Sequence, residues 1–469
     1  MQAGVVNLRI PSGLDRGSRP IRGGFDKEGK MSEFSRRKAL GAMGAAAISS
    51  AASALIGPYR AHAADLSYQP EKGAELRVLR WKRFVQGDEE QWLANSETFH
   101  KATGVKVRVD SENFEDIRPK AAVAANVGSG PDIVLGWFDD PHQYADKLLD
   151  LTELANYLDS KYGGWYDVVR RFCIRDGKWI AIGSGFLGGC LVYRESRVKA
   201  AGFDKVPNDT HGFLRLCQAL KKNGTPCGFA LGNAVGDANA WTHWALWAHG
   251  GRMVDENNRV VINSKETAAA LEYAAALYQT FIPGTLSWLD PNNNKAFLSG
   301  DISLTLNGVS IYYAVKTSKE PGVQKLLADI HHVNMPIGPV GHAAELNPFS
   351  PMFVFKYTKY PNAAKEYLRF MMERSQYEAW QSASLGYVQQ PLKAYADTPV
   401  WKSDPKLLPF RNVPGLTRDN GYAGKLGTAS AGVMADYIVV NMFAQAASGA
   451  SSIKSAMAQA ESRAKRYYR

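Results

Sequence analysis

Cysteine is scarce and unpatterned in this chain, with four in 469 residues: Cys173, Cys190, Cys217 and Cys227. No CxxC pair is available to suggest zinc. In an oxidising compartment the simplest pairing runs along the chain, 173 with 190 and 217 with 227, and buried free thiols are the equal alternative. Beyond Gly57 no apolar run is long enough to span a membrane. Beyond Ala63 no run of Lys and Arg exceeds two residues, so the chain lacks the footprint of a nucleic-acid-binding protein. Short internal repeats are also missing.

What is present first is a leader. "SRRKAL" (Ser35 to Leu40) precedes a weakly apolar Ala/Gly/Ser run to Gly57, and "AHA" ends at Ala63. That order of basic, apolar and small residues predicts an export signal over 1–63, cut before Ala64, and Arg36 with Arg37 points to twin-arginine export. Ala39 stands where such signals usually carry Phe, so the general secretory route stays open. The run is too weakly apolar for a permanent anchor, and no Cys near the cut offers a lipid attachment. Removing the leader leaves 46 Lys and Arg against 41 Asp and Glu, net +5 where the whole chain has +11. A soluble periplasmic monomer is expected.

From Ala74 the pattern alternates. "ELRVLRW" (Glu75 to Trp81) has strand character, a polar helical stretch leads to Phe99, and "VKVRVD" (Val105 to Asp110) alternates strictly. A helix through Ala121 to Ala125 leads to "SGPDIVLGWFDD", where the apolar run Ile133 to Leu135 ends in aromatics and acids. This order predicts an α/β fold with a mostly parallel sheet under helices. The habit recurs: "GGCLVYR" (Gly188 to Arg194) and "GFALG" (228–232) read as strands, "HGFLRLCQALKKNG" as a helix stopped by Gly224, and Asn263 with Glu266 as a helix cap. Two such units without a low-complexity linker imply two lobes joined by crossing strands. In such sheets ligands bind beyond the carboxyl ends of the strands. Trp81 ends one strand and Trp137 follows another, which places both rings at one crevice.

Catalytic patterns fail on spacing. Asp139 and Asp140 are adjacent, and neighbours in an extended chain point to opposite sides, a poor acid/base couple. His243 and His249 are six apart where a helical zinc pair needs four. "GSGFLGG" is not followed by a helix carrying Lys and Ser or Thr, so it is no phosphate loop. No catalysis, no metal and no cofactor are expected.

Several stretches together resemble the extracellular solute-binding proteins of ABC importers, the carbohydrate-type family that includes the maltose-binding protein. "GSGPDIVLGW" is similar to its third-strand turn, "DGKWIAIGSG" and "LVYRESRVKAAGF" to the first crossing between lobes, "FLSGDISLTLNG" to the strand before the second, and "VNMPIGPVG" to the second crossing. "KYPNAAKEYLRFM" and "ASGASSIKSAMAQAESRAKR" are similar to two of its helices. The turn "VPNDTHGFLRL" lacks the family's frequent Trp, and "IGSG" stands where Pro is frequent. The resemblance implies a two-lobe periplasmic-binding fold of type II, with 74–186 plus about 337–410 as one lobe and 187–336 plus about 411–469 as the other. It implies capture of a small molecule, a sugar, oligosaccharide or polyol, and delivery to the transmembrane subunits of an ABC permease. A polyamine, an amino-acid derivative or an organophosphate is the alternative ligand on the same fold, and a secreted hydrolase is a remote one.

Sugars have apolar faces and hydroxyl edges, so their sites combine aromatics with carboxylates and amides. By its match to the family's strand-end turn, Trp137 is expected to stack on the ligand, against the reading that it caps the sheet. Asp139 or Asp140 is expected to accept from a hydroxyl, or else to cap the helix that Pro141 opens. Asn239 and Trp241 stand at the entrance of a helix that also carries Trp244 and Trp247. Asn307 and Tyr312 lie where the family's second lobe supplies a stacking ring, and Ser350 and Tyr387 lie on loops beside the hinge. With Trp81, these residues form the expected site.

Overall fold

The structure is a computed structural model that describes residues 66–82 and 84–469. The expected leader, 1–63, lies outside them. Among the described residues the strands are β1 (Glu75–Trp81), β2 (Lys106–Glu112), β3 (Ile133–Leu135), β4 (Ile174–Arg175), β5 (Lys178–Trp179), β6 (Ile182–Phe186), β7 (Cys190–Arg194), β8 (Leu304–Asn307), β9 (Ile330–Val333) and β10 (Phe349–Val354). A five-stranded sheet runs β2-β1-β3-β10-β6, a three-stranded sheet runs β8-β7-β9, and β4 with β5 forms a ribbon. No helix among these residues is long and apolar enough to cross a membrane.

The α/β class of the sequence reading holds, and strand direction refines it. In the larger sheet β1 is parallel to β2 and to β3. β10 runs against both β3 and β6, and β7 runs against both β8 and β9. The smaller sheet is therefore antiparallel at every named pairing, not mostly parallel as expected. The cause is connectivity. β6 ends at the crossing and hands the chain to β7 through Leu187 to Gly189; the return crossing hands it to β10 at Phe349. A strand that enters a sheet from the edge where its neighbours end must run against them, and each sheet carries one such strand.

Two local expectations shift. "GFALG" is not a strand: Gly228 donates to Leu304 O of β8 at 3.1 Å, but Leu231 donates to Thr285 O at 2.9 Å and Gly232 to Trp288 O at 3.1 Å, in the segment after Gly284. Trp288 lies so close that a Cβ on Gly228 would meet its ring at 2.8 Å. The cap of helix Lys265–Tyr278 is Ser264, whose hydroxyl accepts from Thr267 N at 3.2 Å, and Asn263 bonds Glu461 instead. The helix Thr210–Lys222 follows the reading, with Asp209 accepting from Gly212 N at 2.7 Å and Gly224 just past its end at φ 72°. All four cysteines are buried free thiols.

The two sides bury different cores. On the larger sheet Arg80 is fully buried, its guanidinium 4.7 Å from the Trp81 ring centroid and 5.0 Å from that of Trp92. Asp88 binds it at 2.5 Å and also accepts the indole N–H groups of Trp81 at 3.0 Å and Trp380 at 2.8 Å. One buried carboxylate thereby fixes a cation and two rings, and breaking it would leave a buried charge uncompensated. On the other side Trp241, Trp244 and Trp247 of helix Asp237–Ala248 are all buried.

Candidate functional site

The crossing segments bring the ends of both sheets to one cleft, whose inner cavity of about 30 Å³ has Leu187 and Pro348 of the crossings in its lining. Towards solvent lies a cavity of about 300 Å³ that shares Phe84, Phe114 and Asp290 with it. The larger-sheet wall is aromatic. Phe84 follows β1, Phe114 opens helix Phe114–Val127 just after β2, and Tyr387 comes from the loop after helix Arg374–Ala383. Phe84 and Tyr387 stack at 6.4 Å with planes 7° apart, and Phe84 meets Phe114 at 5.3 Å. Lys82 and Glu115 flank these rings at the outer cavity.

The facing wall is polar and is built from helix N-termini. Asp237 opens helix Asp237–Ala248, Asp290 opens helix Asp290–Ser299, and Asn307 ends β8. Asp290 accepts from Asp237 N at 2.8 Å and Gly236 N at 3.1 Å, which satisfies amides that a helix start leaves without partners. Burial nevertheless pushes its carboxyl up to about 6. Asn293 donates to Asp237 Oδ2 at 2.5 Å and to Leu306 O at 2.8 Å. Burial, with the charge of Asp290, raises Asp237 well above the usual carboxylate range. Asn307 donates to Asn294 and accepts from Ser310 Oγ at 2.9 Å, so its amide is held in one orientation.

Of the residues singled out in the sequence, Asn307 and Tyr387 line this cavity. Trp81 and Trp137 lie one layer behind it. Trp137 is fully buried, stacks on Phe114 at 4.6 Å and donates its indole N–H to Phe114 O at 3.0 Å; Trp81 packs on Trp137 at 5.3 Å. Phe138 sits at φ 48°, and none of Trp137, Phe138, Asp139 and Asp140 lines either cavity of the cleft. Asp139 accepts from Ser430 Oγ at 2.6 Å and burial pushes its carboxyl up to about 7. Asp140 pairs with Arg118 at 2.6 Å and accepts from Trp137 N at 3.0 Å. Both are buried outside the cavity.

Asn239 donates to Val235 O at 3.1 Å inside its own helix start, and Trp241 donates to Ala230 O at 2.6 Å in the core. Tyr312 donates to Asp404 at 2.5 Å beside Lys316, and Ser350 is buried within β10. Residues absent from the sequence reading are Phe84, Phe114, Asp237, Asp290 and Asn294. Phe114 carried a usable signal, since it lies just past the end of a clear strand, β2.

A roomier cavity of about 500 Å³ lies beside His142, Arg175 and Lys356. It is lined by the turn after β3 and the β4–β5 ribbon, and no strand end from the smaller sheet contributes to it. We therefore place the candidate site in the cleft, where two sheets converge. Residues 95–409 match the family described as bacterial extracellular solute-binding protein. The chain belongs to that family. Its members are binding proteins, consistent with a cleft walled by two lobes. No curated protein matches the chain by sequence. Among solved structures, the chain is similar to the maltose-bound MalE3 of T. maritima, at 17% identity and TM-score 0.72, over 84% of this chain and 100% of that one. A sugar transporter of Arthrobacter chlorophenolicus A6 with bound laminaribiose gives 17% and 0.71, over 84% and 99%. An ABC transporter solute-binding protein of Agrobacterium radiobacter K84 in complex with ribitol gives 16% and 0.69, over 84% and 98%. At these identities the likeness establishes the two-lobe α/β fold of this solute-binding protein.

Proposed function

We propose that the protein is the periplasmic binding component of an ABC importer, capturing a sugar or polyol between its lobes and presenting it to the transmembrane permease. The observation that carries this reading is the opposition of ring faces (Phe84, Phe114, Tyr387) to fixed carboxyl and amide groups (Asp237, Asp290, Asn307) across one cavity. Ring faces match the apolar face of a sugar, and the carboxylates and amides match its hydroxyl edge. The sugar and polyol complexes of similar fold support the ligand class. The lobes are 74–186 plus about 337–410 and 187–336 plus about 411–469, and the protein acts as a soluble monomer without catalysis or cofactor after its leader is removed.

The test is a thermal-shift screen of the purified protein against sugars, polyols, polyamines and phosphate esters. A ligand that binds the native state raises the melting temperature. Stabilisation by hydroxylated compounds is expected, and stabilisation only by phosphate esters or unhydroxylated polyamines would overturn the reading.

A further inference from the structure

The inner end of the cleft differs in charge from its mouth. Among the described residues, the mouth carries Lys82 and Lys295 against Glu115 and the shared Asp290, whereas the inner cavity has Asp237 and Asp290 and no Lys or Arg in its lining. At about 30 Å³ the inner cavity takes one small head group, since a single water needs roughly 10–15 Å³. Three rings, Phe84, Phe114 and Tyr387, border the same space. A ring face is negative, and two carboxyl groups beside three rings attract a cation more than a neutral hydroxyl.

We infer that the inner cavity receives the protonated amine of a hydroxylated ligand, an amino sugar or an amino polyol, with the hydroxyls lying towards the mouth. This rests on the reading of the cleft as a hydroxyl-binding site and specifies which end of the ligand enters first. Burial raises both carboxyls, and the charge of Asp290 raises Asp237 further; a bound ammonium would favour their ionised forms while completing the hydrogen bonding that Asn293 begins at Asp237.

The test is titration calorimetry on the full chain with matched pairs: glucose and glucosamine, sorbitol and 1-amino-1-deoxysorbitol, with putrescine as an unhydroxylated amine. The amine of at least one pair is expected to bind more tightly by about tenfold or more. Asp237→Asn is expected to abolish that ratio, and Phe84→Leu, which keeps an apolar side chain but no ring face, to reduce it; unfolding curves of both variants show that each is folded. Equal or tighter binding of the neutral members overturns the inference and leaves the sugar or polyol reading intact. Tight binding of putrescine with none of the hydroxylated compounds overturns that reading and, with it, the hydroxylated ligand inferred for the cavity. Absence of binding across the panel contradicts both.

Discussion

The two walls of the cleft achieve rigidity by opposite means. The aromatic wall is the visible edge of a column of rings, Tyr387, Phe84, Phe114, Trp137 and Trp81, that runs back into the core and ends on the Arg80–Asp88 pair. The polar wall has no such depth; it is held by the backbone amides of one helix start, which bind Asp290, and by a chain of Asn side chains. Damage at the buried foot of the first wall should therefore spread into the fold, whereas damage at its rim or in the second wall should stay in the site.

The largest expected effect breaks the foundation of the aromatic wall. Asp88→Ala strands the buried Arg80 and the indole N–H of Trp81, leaving Trp380 only the backbone carbonyl of residue 88, and is expected to cost about 3–5 kcal/mol of stability; Trp137→Ala opens a cavity of similar cost. Chemical denaturation of both variants measures this. A Trp137→Ala protein of unchanged stability but lost affinity would return that ring to the ligand and contradict the layered wall.

The next effect is pH dependence, from a carboxyl that sits behind the wall. Asp139 is pushed up to about 7, so its folded pKa exceeds its unfolded one. Its contribution to stability is complete below about pH 4 and is lost as pH rises through about 7. Asp139→Asn is expected to flatten the decline of stability across that window, by on the order of 2 kcal/mol. Melting curves from pH 4 to 8 check the sign.

Smaller effects separate the walls by affinity. Phe84→Ala is expected to weaken ligand binding by about 1–2 kcal/mol with little change in stability, because the ring is only partly buried. Asn307→Ala is expected to cost about 1 kcal/mol of affinity, by removing one hydrogen-bonding group and loosening Asn294 and Ser310. Calorimetry on the best ligand of the screen ranks the two.

The fold was legible because its signals are local. β1 occupies the same residues, Glu75–Trp81, that its pattern predicts, and β3 is the apolar run Ile133–Leu135. The site was less so, because strand ends predict a crevice but not which loop residue reaches it. Trp137 faces the core because it stacks on Phe114 and donates to Phe114 O, contacts made across 23 residues of sequence. Asp290 reaches the helix start at Gly236 across 54 residues of sequence, a relation no local pattern carries. The direction of β7 and β10 likewise depends on which edge the chain enters from.

The measurement that bears most directly on the two-walled cleft is a crystal structure with the tightest compound from the screen. The expected result is density between Phe84 and Phe114 on one side and Asp237, Asp290 and Asn307 on the other. Density in the cavity beside His142, Arg175 and Lys356, with the cleft empty, would contradict it.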